Sequence, residues 1–178
     1  MLEVSFRLRG VQVAAAAAGL KGVDYASAVA AAREVRGGGR WISVMRPAAL
    51  AANPRHLLTA VLYAASSYME GNMVARHPEM ELLLYLLGTR NIRSVAEEMR
   101  GEESVGAAAV SLGGDAVELL ERYTAMLGAR SYTPSPREWA EWYRSYLGRR
   151  GVRGAGRMDE EAILALLRAR AALVRLSV

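Results

Sequence analysis

Leu2, Val4, Phe6 and Leu8 alternate with polar or charged residues, the period of a half-buried strand. Trp41, Ile42, Val44 and Met45 predict a second strand that ends at Pro47. The alanine-rich stretch between them, including Ala14 to Ala18, reads as helical. Asp24 caps a helix running through Val35, and Gly37-Gly38-Gly39 then forces a turn.

Asn53-Pro54 is a strong helix start, because the Asn side chain accepts a backbone N–H and proline sits where its missing donor costs nothing. Leu57, Leu58, Val61, Leu62, Ala65 and Met69 then form one apolar stripe to about Gly71. His77-Pro78 repeats that start for a helix from Glu79 to Leu87, apolar nearly all round and stopped by Gly88. Thr89 or Asn91 caps a third helix, with Ile92, Val95, Ala96 and Met99 inward and Gly101 as its left-handed terminator.

Ser104 to Leu112 predicts a small-residue strand, followed by a turn at Gly113-Gly114-Asp115 and a helix carrying Val117, Leu119, Leu120, Tyr123 and Leu127. Ser135-Pro136-Arg137-Glu138 has the pattern of a capping box with proline at the first helical position. Trp139, Trp142, Tyr143 and Tyr146 follow at helical spacing. Gly148 to Arg157 holds four glycines and four arginines without an acid, which predicts a mobile Gly/Arg loop over 148–157. Asp159-Glu160-Glu161 opens a last helix, with Arg168 and Arg170 further along it as the helix dipole favours. Strands and helices do not alternate regularly, so the expected fold class is α+β: one domain over 1–178, with a small sheet flanked by about six helices.

Composition narrows the function. At 178 residues and 52% hydrophobic content, the chain builds one well-buried core. The apolar runs fall far short of the roughly 20 residues that span a bilayer, and the N-terminus lacks the pattern of a signal peptide, so a cytoplasmic protein is expected. Zero cysteines exclude disulfides, thiolate nucleophiles and cysteine metal sites, and two histidines make a histidine metal cluster improbable. Three Asn and one Gln form the amide depletion associated with proteins that work hot. No cofactor is expected, because the only lysine, Lys21, has neither the glycines nor the following Ser/Thr of a phosphate loop.

The net charge of +5 is concentrated in residues 130–157, where seven arginines face only Glu138 and Glu141. A localised excess of this kind favours a polyanionic partner. Arginines such as Arg149 and Arg150 offer bidentate phosphate contacts, and Trp139, Trp142 and Tyr143 have the surface to stack bases. Their helical spacing equally fits packing in a core. His56 and His77 stand at helix starts, where a solvated or capping role competes with that of a base. Glu102-Glu103 and Asp159-Glu160-Glu161 fit solvated boundary charges better than a catalytic pair.

The order of punctuation residues between Asn53 and Gly101 resembles that of the TPRKB (PRPK-binding protein) family of KEOPS subunits, archaeal type. His56-Leu57, Tyr68, Gly71 and Asn72 match its histidine-leucine pair, aromatic, glycine and asparagine. Glu81 fills the acidic position, and Gly88-Thr89-Arg90-Asn91-Ile92 fills a motif in which glutamine usually stands at Asn91. The matched segment is about a quarter of the chain. The resemblance implies a small sheet flanked by helices and a non-catalytic subunit of the complex that makes threonylcarbamoyladenosine in tRNA. Such a subunit docks on and stimulates a kinase-like ATPase and holds the tRNA 3′ CCA end. On that reading Arg55, His56, Asn72, Arg76, Arg90 and Arg93 surround the RNA, with Arg149 and Arg150 nearby. The apolar surface at Leu166, Leu167 and Leu173 then meets the kinase; neither DNA nor a membrane is an expected partner. A pure scaffold for the kinase, with arginines serving solubility alone, is the alternative.

Overall fold

Arg9 and Gly10 both have positive φ, 50° and 81°, as a tight two-residue hairpin turn requires. They join β1 (Leu2–Leu8) to β2 (Val11–Lys21) in an unbroken antiparallel register from Leu2 opposite Ala17 to Leu8 opposite Val11. A computed structural model describes residues 1–101 and 104–176, so the acidic pair Glu102-Glu103 lies outside the described residues. Among these residues the chain forms five strands and seven α-helices, an α+β domain. β3 (Arg40–Met45), β4 (Val105–Leu112) and β5 (Arg130–Tyr132) complete an antiparallel sheet of order β1-β2-β4-β3. β5 joins β2 beyond the end of β1.

The alanine run corrects the helical expectation: Ala14 to Ala18 form the middle of β2, paired with β1 on one side and β4 on the other. Ala14, Ala16 and Ala18 face one layer of helices, whereas Val13, Ala15 and Ala17 face the other. Helices cover both faces, and small side chains let them approach closely. The high helix propensity of alanine is worth at most about 0.7 kcal/mol per residue. Ladders on both edges and near-complete burial of all five side chains outweigh it.

One layer contains α1 (Tyr25–Glu34), capped by Asp24, and α5 (Ala116–Met126), capped by Asp115. The other contains α2 (Pro54–Glu70), α3 (Pro78–Leu87), α4 (Ile92–Glu98), α6 (Pro136–Arg149) and α7 (Glu160–Leu176). Asn53 caps α2 and Asn91 caps α4 through their side-chain oxygens, while Ser135 and Glu138 close a capping box on α6. Some inward assignments are corrected. Leu58 and Leu62 are each 38% exposed, Ile92 and Ala96 are exposed, and α4 ends on a right-handed Met99 before Gly101. A helix of seven residues covers little more than one apolar contact line, and Val95 and Met99 fill it.

The segment expected as a mobile loop over 148–157 includes regular turns of helix. Gly148 and Arg149 belong to α6, a single 3-10 turn spans Ala155–Arg157, and Ala155 is buried. Arg144 Nε donates to the Met158 carbonyl at 2.7 Å, tying the end of the segment back to α6.

Candidate nucleic-acid interface

Leu82 to Leu87 are all buried, so α3 is a core helix whose last carbonyls need partners away from water. α6 supplies them: the Tyr143 hydroxyl donates to the Leu86 carbonyl at 2.8 Å and the Tyr146 hydroxyl to that of Leu87 at 2.9 Å. Gly88 ends α3 with a left-handed backbone, φ 59°, and the Thr89 N–H closes onto the Leu84 carbonyl at 3.0 Å. A Cβ on Gly88 would lie 2.7 Å from Cβ of Arg170, so glycine also lets α7 pass against the turn. Three residues later Asn91 caps α4, its Oδ1 accepting from Ser94 N–H at 3.1 Å, while Thr89 Oγ1 accepts from Asn91 N–H at 3.2 Å.

Two shallow grooves, of about 430 and 300 Å³, meet at this turn and share Gly88, Thr89 and Arg170. Asn91, Ser94, Tyr146 and Arg150 complete the first; Arg90, Leu173 and Val174 complete the second. Among the described residues no carboxylate lines either one, which leaves a basic, hydroxyl- and amide-bearing surface suited to phosphates and base edges. Arg150 lies 5.5 Å from the Tyr146 ring centre and Nε points to its hydroxyl at 3.4 Å. The Tyr146 hydroxyl, with Glu98 and Glu97 further off, holds the Arg150 guanidinium more firmly protonated than usual.

Arg150 lines the first groove and Arg90 the second, with Arg93 on the following helix and Arg149 next to Arg150 in sequence. Arg93 pairs with Glu97 on its own helix at 3.2 Å, and Arg149 pairs with Glu98 at 2.9 Å. The other expected contacts lie elsewhere. Arg55 pairs with Glu161 in the first turn of α7. Arg170 stands nine positions further along the helix than Glu161, a rise of about 14 Å. Asn72 belongs to a second network, in which Arg175 donates to Asn72 Oδ1 at 2.8 Å and Ser67 Oγ at 3.0 Å and pairs with Glu70. Arg175 holds the Glu70 carboxyl below the usual carboxylate range. Arg76 is exposed in the turn before α3. That turn is held by the buried Glu81, whose Oε2 accepts from Ala75 N–H at 2.8 Å.

His56 is corrected outright. It is buried, and its Nδ1 accepts from Trp139 Nε1–H at 3.1 Å, so it presents nothing to an RNA. Burial, and next the charge of Arg168, depress its pKa from 6.5 to about 3. The Leu50 and Leu86 carbonyls oppose that shift without closing a hydrogen bond of normal geometry to Nε2. Trp139 and Tyr143 are fully buried as well and stack no bases; Trp142 is half-buried and lies flat on Tyr146, at 5.1 Å and 9°. On α7, Leu167 is buried and cannot face a partner, Leu166 is half-buried, and Leu173 is 63% exposed.

Sequence reasoning missed Arg170, Ser94 and Tyr146 as groove residues and Leu176, 79% exposed, as a neighbour of Leu173 on the apolar end of α7. No periodicity marks Arg170; only the docking of α7 against Gly88 does. A separate cleft of about 380 Å³ lies between α1, β3 and α3, with Ile42, Val44 and Leu83 on its apolar side and Arg33, Arg36 and His77 among its polar lining. Among the described residues no group of three or more His, Asp and Glu is placed to hold a metal, and no helix is long and apolar enough to cross a membrane. The chain matches no protein-family model and no curated protein sequence.

Proposed function

We propose that this protein is a non-catalytic tRNA-binding subunit of a KEOPS-type assembly, holding the tRNA 3′ CCA end and docking on the kinase-like ATPase that it stimulates. The observation that carries the reading is the basic groove surface at Gly88–Asn91, lined by no acid among the described residues, in the segment whose residue order resembles the family motif. Arg150 and Arg170 offer charge to the terminal phosphates, and Thr89, Asn91 and Ser94 offer hydroxyl and amide groups to unstacked bases. Tyr146 fixes Arg150 from below, so the guanidinium is partly ordered before RNA arrives. The kinase contact lies on Leu173 and Leu176, with Leu166 beside them.

A second reading has its own support. Arg55, Arg93 and Arg149 are each paired with a glutamate, which suits a protein-binding scaffold whose arginines serve the surface alone. Binding to intact tRNA and to the same tRNA lacking CCA, each at several salt concentrations, separates the two. The recruiting role requires a large loss on trimming. Equal, steeply salt-dependent binding leaves a generic basic surface and makes the scaffold the better account.

A further inference from the structure

We propose that β1 is a self-association edge, through which two copies of this chain pair antiparallel about Ser5 and join their sheets into one. The hairpin fixes which backbone groups point outward. In a two-residue hairpin the closing pair, Leu8 and Val11, exchanges both hydrogen bonds, and alternation then turns the N–H and C=O groups of Arg7, Ser5 and Glu3 away from β2. β1 ends the strand order, and among the described residues no backbone or side-chain hydrogen bond reaches these outward groups. Apart from the charges of Glu3 and Arg7, the edge carries none of the usual protections: it has no proline, no lysine and no bulge, and its register with β2 is continuous over seven residues.

The side chains select a second copy as the occupant. Hydrogen-bond parity requires outward residues to meet outward residues. Of the registers that satisfy it, the one centred on Ser5 pairs the whole strand. There Glu3 of each copy faces Arg7 of the other, Ser5 faces Ser5, Val4 faces Phe6, and Leu2 faces Leu8. Opposite charges directly across an antiparallel pair are favourable and like charges are not. Glu3 and Arg7 are exposed and, among the described residues, form no ion pair with another side chain, whereas the next charge along, Arg9, is already held by Glu70. Leu2, Val4, Phe6 and Leu8 are only half-buried against the core, so strand addition covers apolar surface on the same face.

Analytical ultracentrifugation of the full chain tests this. A single strand edge is a narrow interface, so the expected dissociation constant is on the order of 10 to 100 μM. Glu3→Arg alone and Arg7→Glu alone each place like charges across the pair and should weaken self-association at least tenfold. An equimolar mixture of the two variants places opposite charges at every position and should form heterodimers at wild-type strength. That recovery cannot come from a folding defect. A wild-type chain that stays monomeric to several hundred micromolar overturns the proposal, as does a mixture no tighter than its components. Dimerisation of both single variants at wild-type strength overturns it too, by placing the contact elsewhere.

Discussion

Trp139 Nε1–H donates to Nδ1 of His56 at 3.1 Å inside the core, across 83 positions of sequence. Indole nitrogen only donates, so His56 is neutral with its proton on Nε2. Its depressed pKa makes the fold acid-sensitive. Between about pH 3 and 6.5 the unfolded chain binds a proton that the folded chain refuses. Stability from this group is complete above pH 6.5 and declines as pH falls towards 3. Urea unfolding should show about 2 to 3 kcal/mol lost to His56 between pH 7.5 and 4.5. His56→Asn, which does not titrate, should lack that part of the pH dependence; an unchanged profile would remove His56 as its source.

Gly88 and Gly71 are both left-handed helix ends, φ 59° and 68°, but only Gly88 has a neighbour where a Cβ would go. Gly71→Ala should cost about 1 kcal/mol, the strain of a left-handed alanine. Gly88→Ala should cost about 3 kcal/mol, because overpacking against Arg170 adds to that strain. Denaturant midpoints of the two variants, compared at equal slope, measure the difference; equal losses would mean that α7 shifts freely.

Tyr143→Phe leaves the Leu86 carbonyl without its donor in a fully buried site. A loss of about 1 to 3 kcal/mol is expected in urea unfolding. Tyr146→Phe should cost a similar amount and also release Arg150, so it alone should weaken tRNA binding.

Arg150→Glu and Arg170→Glu should each lower affinity for CCA-ended tRNA about tenfold and flatten its salt dependence by roughly one to two charges. Arg76→Glu and Arg55→Glu, which alter charge away from the groove, should change the CCA-dependent part of binding less than twofold. Filter binding at matched salt reads both effects. Equal losses for all four would point to a diffuse basic surface.

Leu173→Asp should leave thermal stability nearly unchanged while abolishing capture of the kinase-like partner in a pull-down with both purified proteins. Leu167→Asp, which buries a carboxylate in the core, should unfold the domain instead. Normal capture by folded Leu173→Asp would move the docking surface off the end of α7.

Much of the architecture was legible in the chain because its signals are local. Asn53-Pro54, His77-Pro78 and Ser135-Pro136 each place a helix start where the structure has one, and Gly71 and Gly88 mark the ends of α2 and α3. The alternation of Leu2 to Leu8 gave β1. Ala14 to Ala18 misled, because alanine satisfies a helix and a doubly covered strand alike and only its neighbours decide. The three-residue β5 carries no periodicity to read. Of the candidate RNA residues, Arg150 and Arg90 line the two adjoining grooves that share Gly88, Thr89 and Arg170; Arg55, His56 and Asn72 are drawn into other contacts by Glu161, Trp139 and Arg175.

Where α2, α3 and α6 begin, and where α2 and α3 end, was therefore determined by the sequence itself, since caps, prolines and left-handed glycines act through atoms a few residues away. Which polar side chains face solvent was decided only by tertiary structure. Burial and pairing depend on what packs from distant parts of the chain: α6 turns its tyrosine hydroxyls onto the end of α3, and α7 lays Arg170 across Gly88.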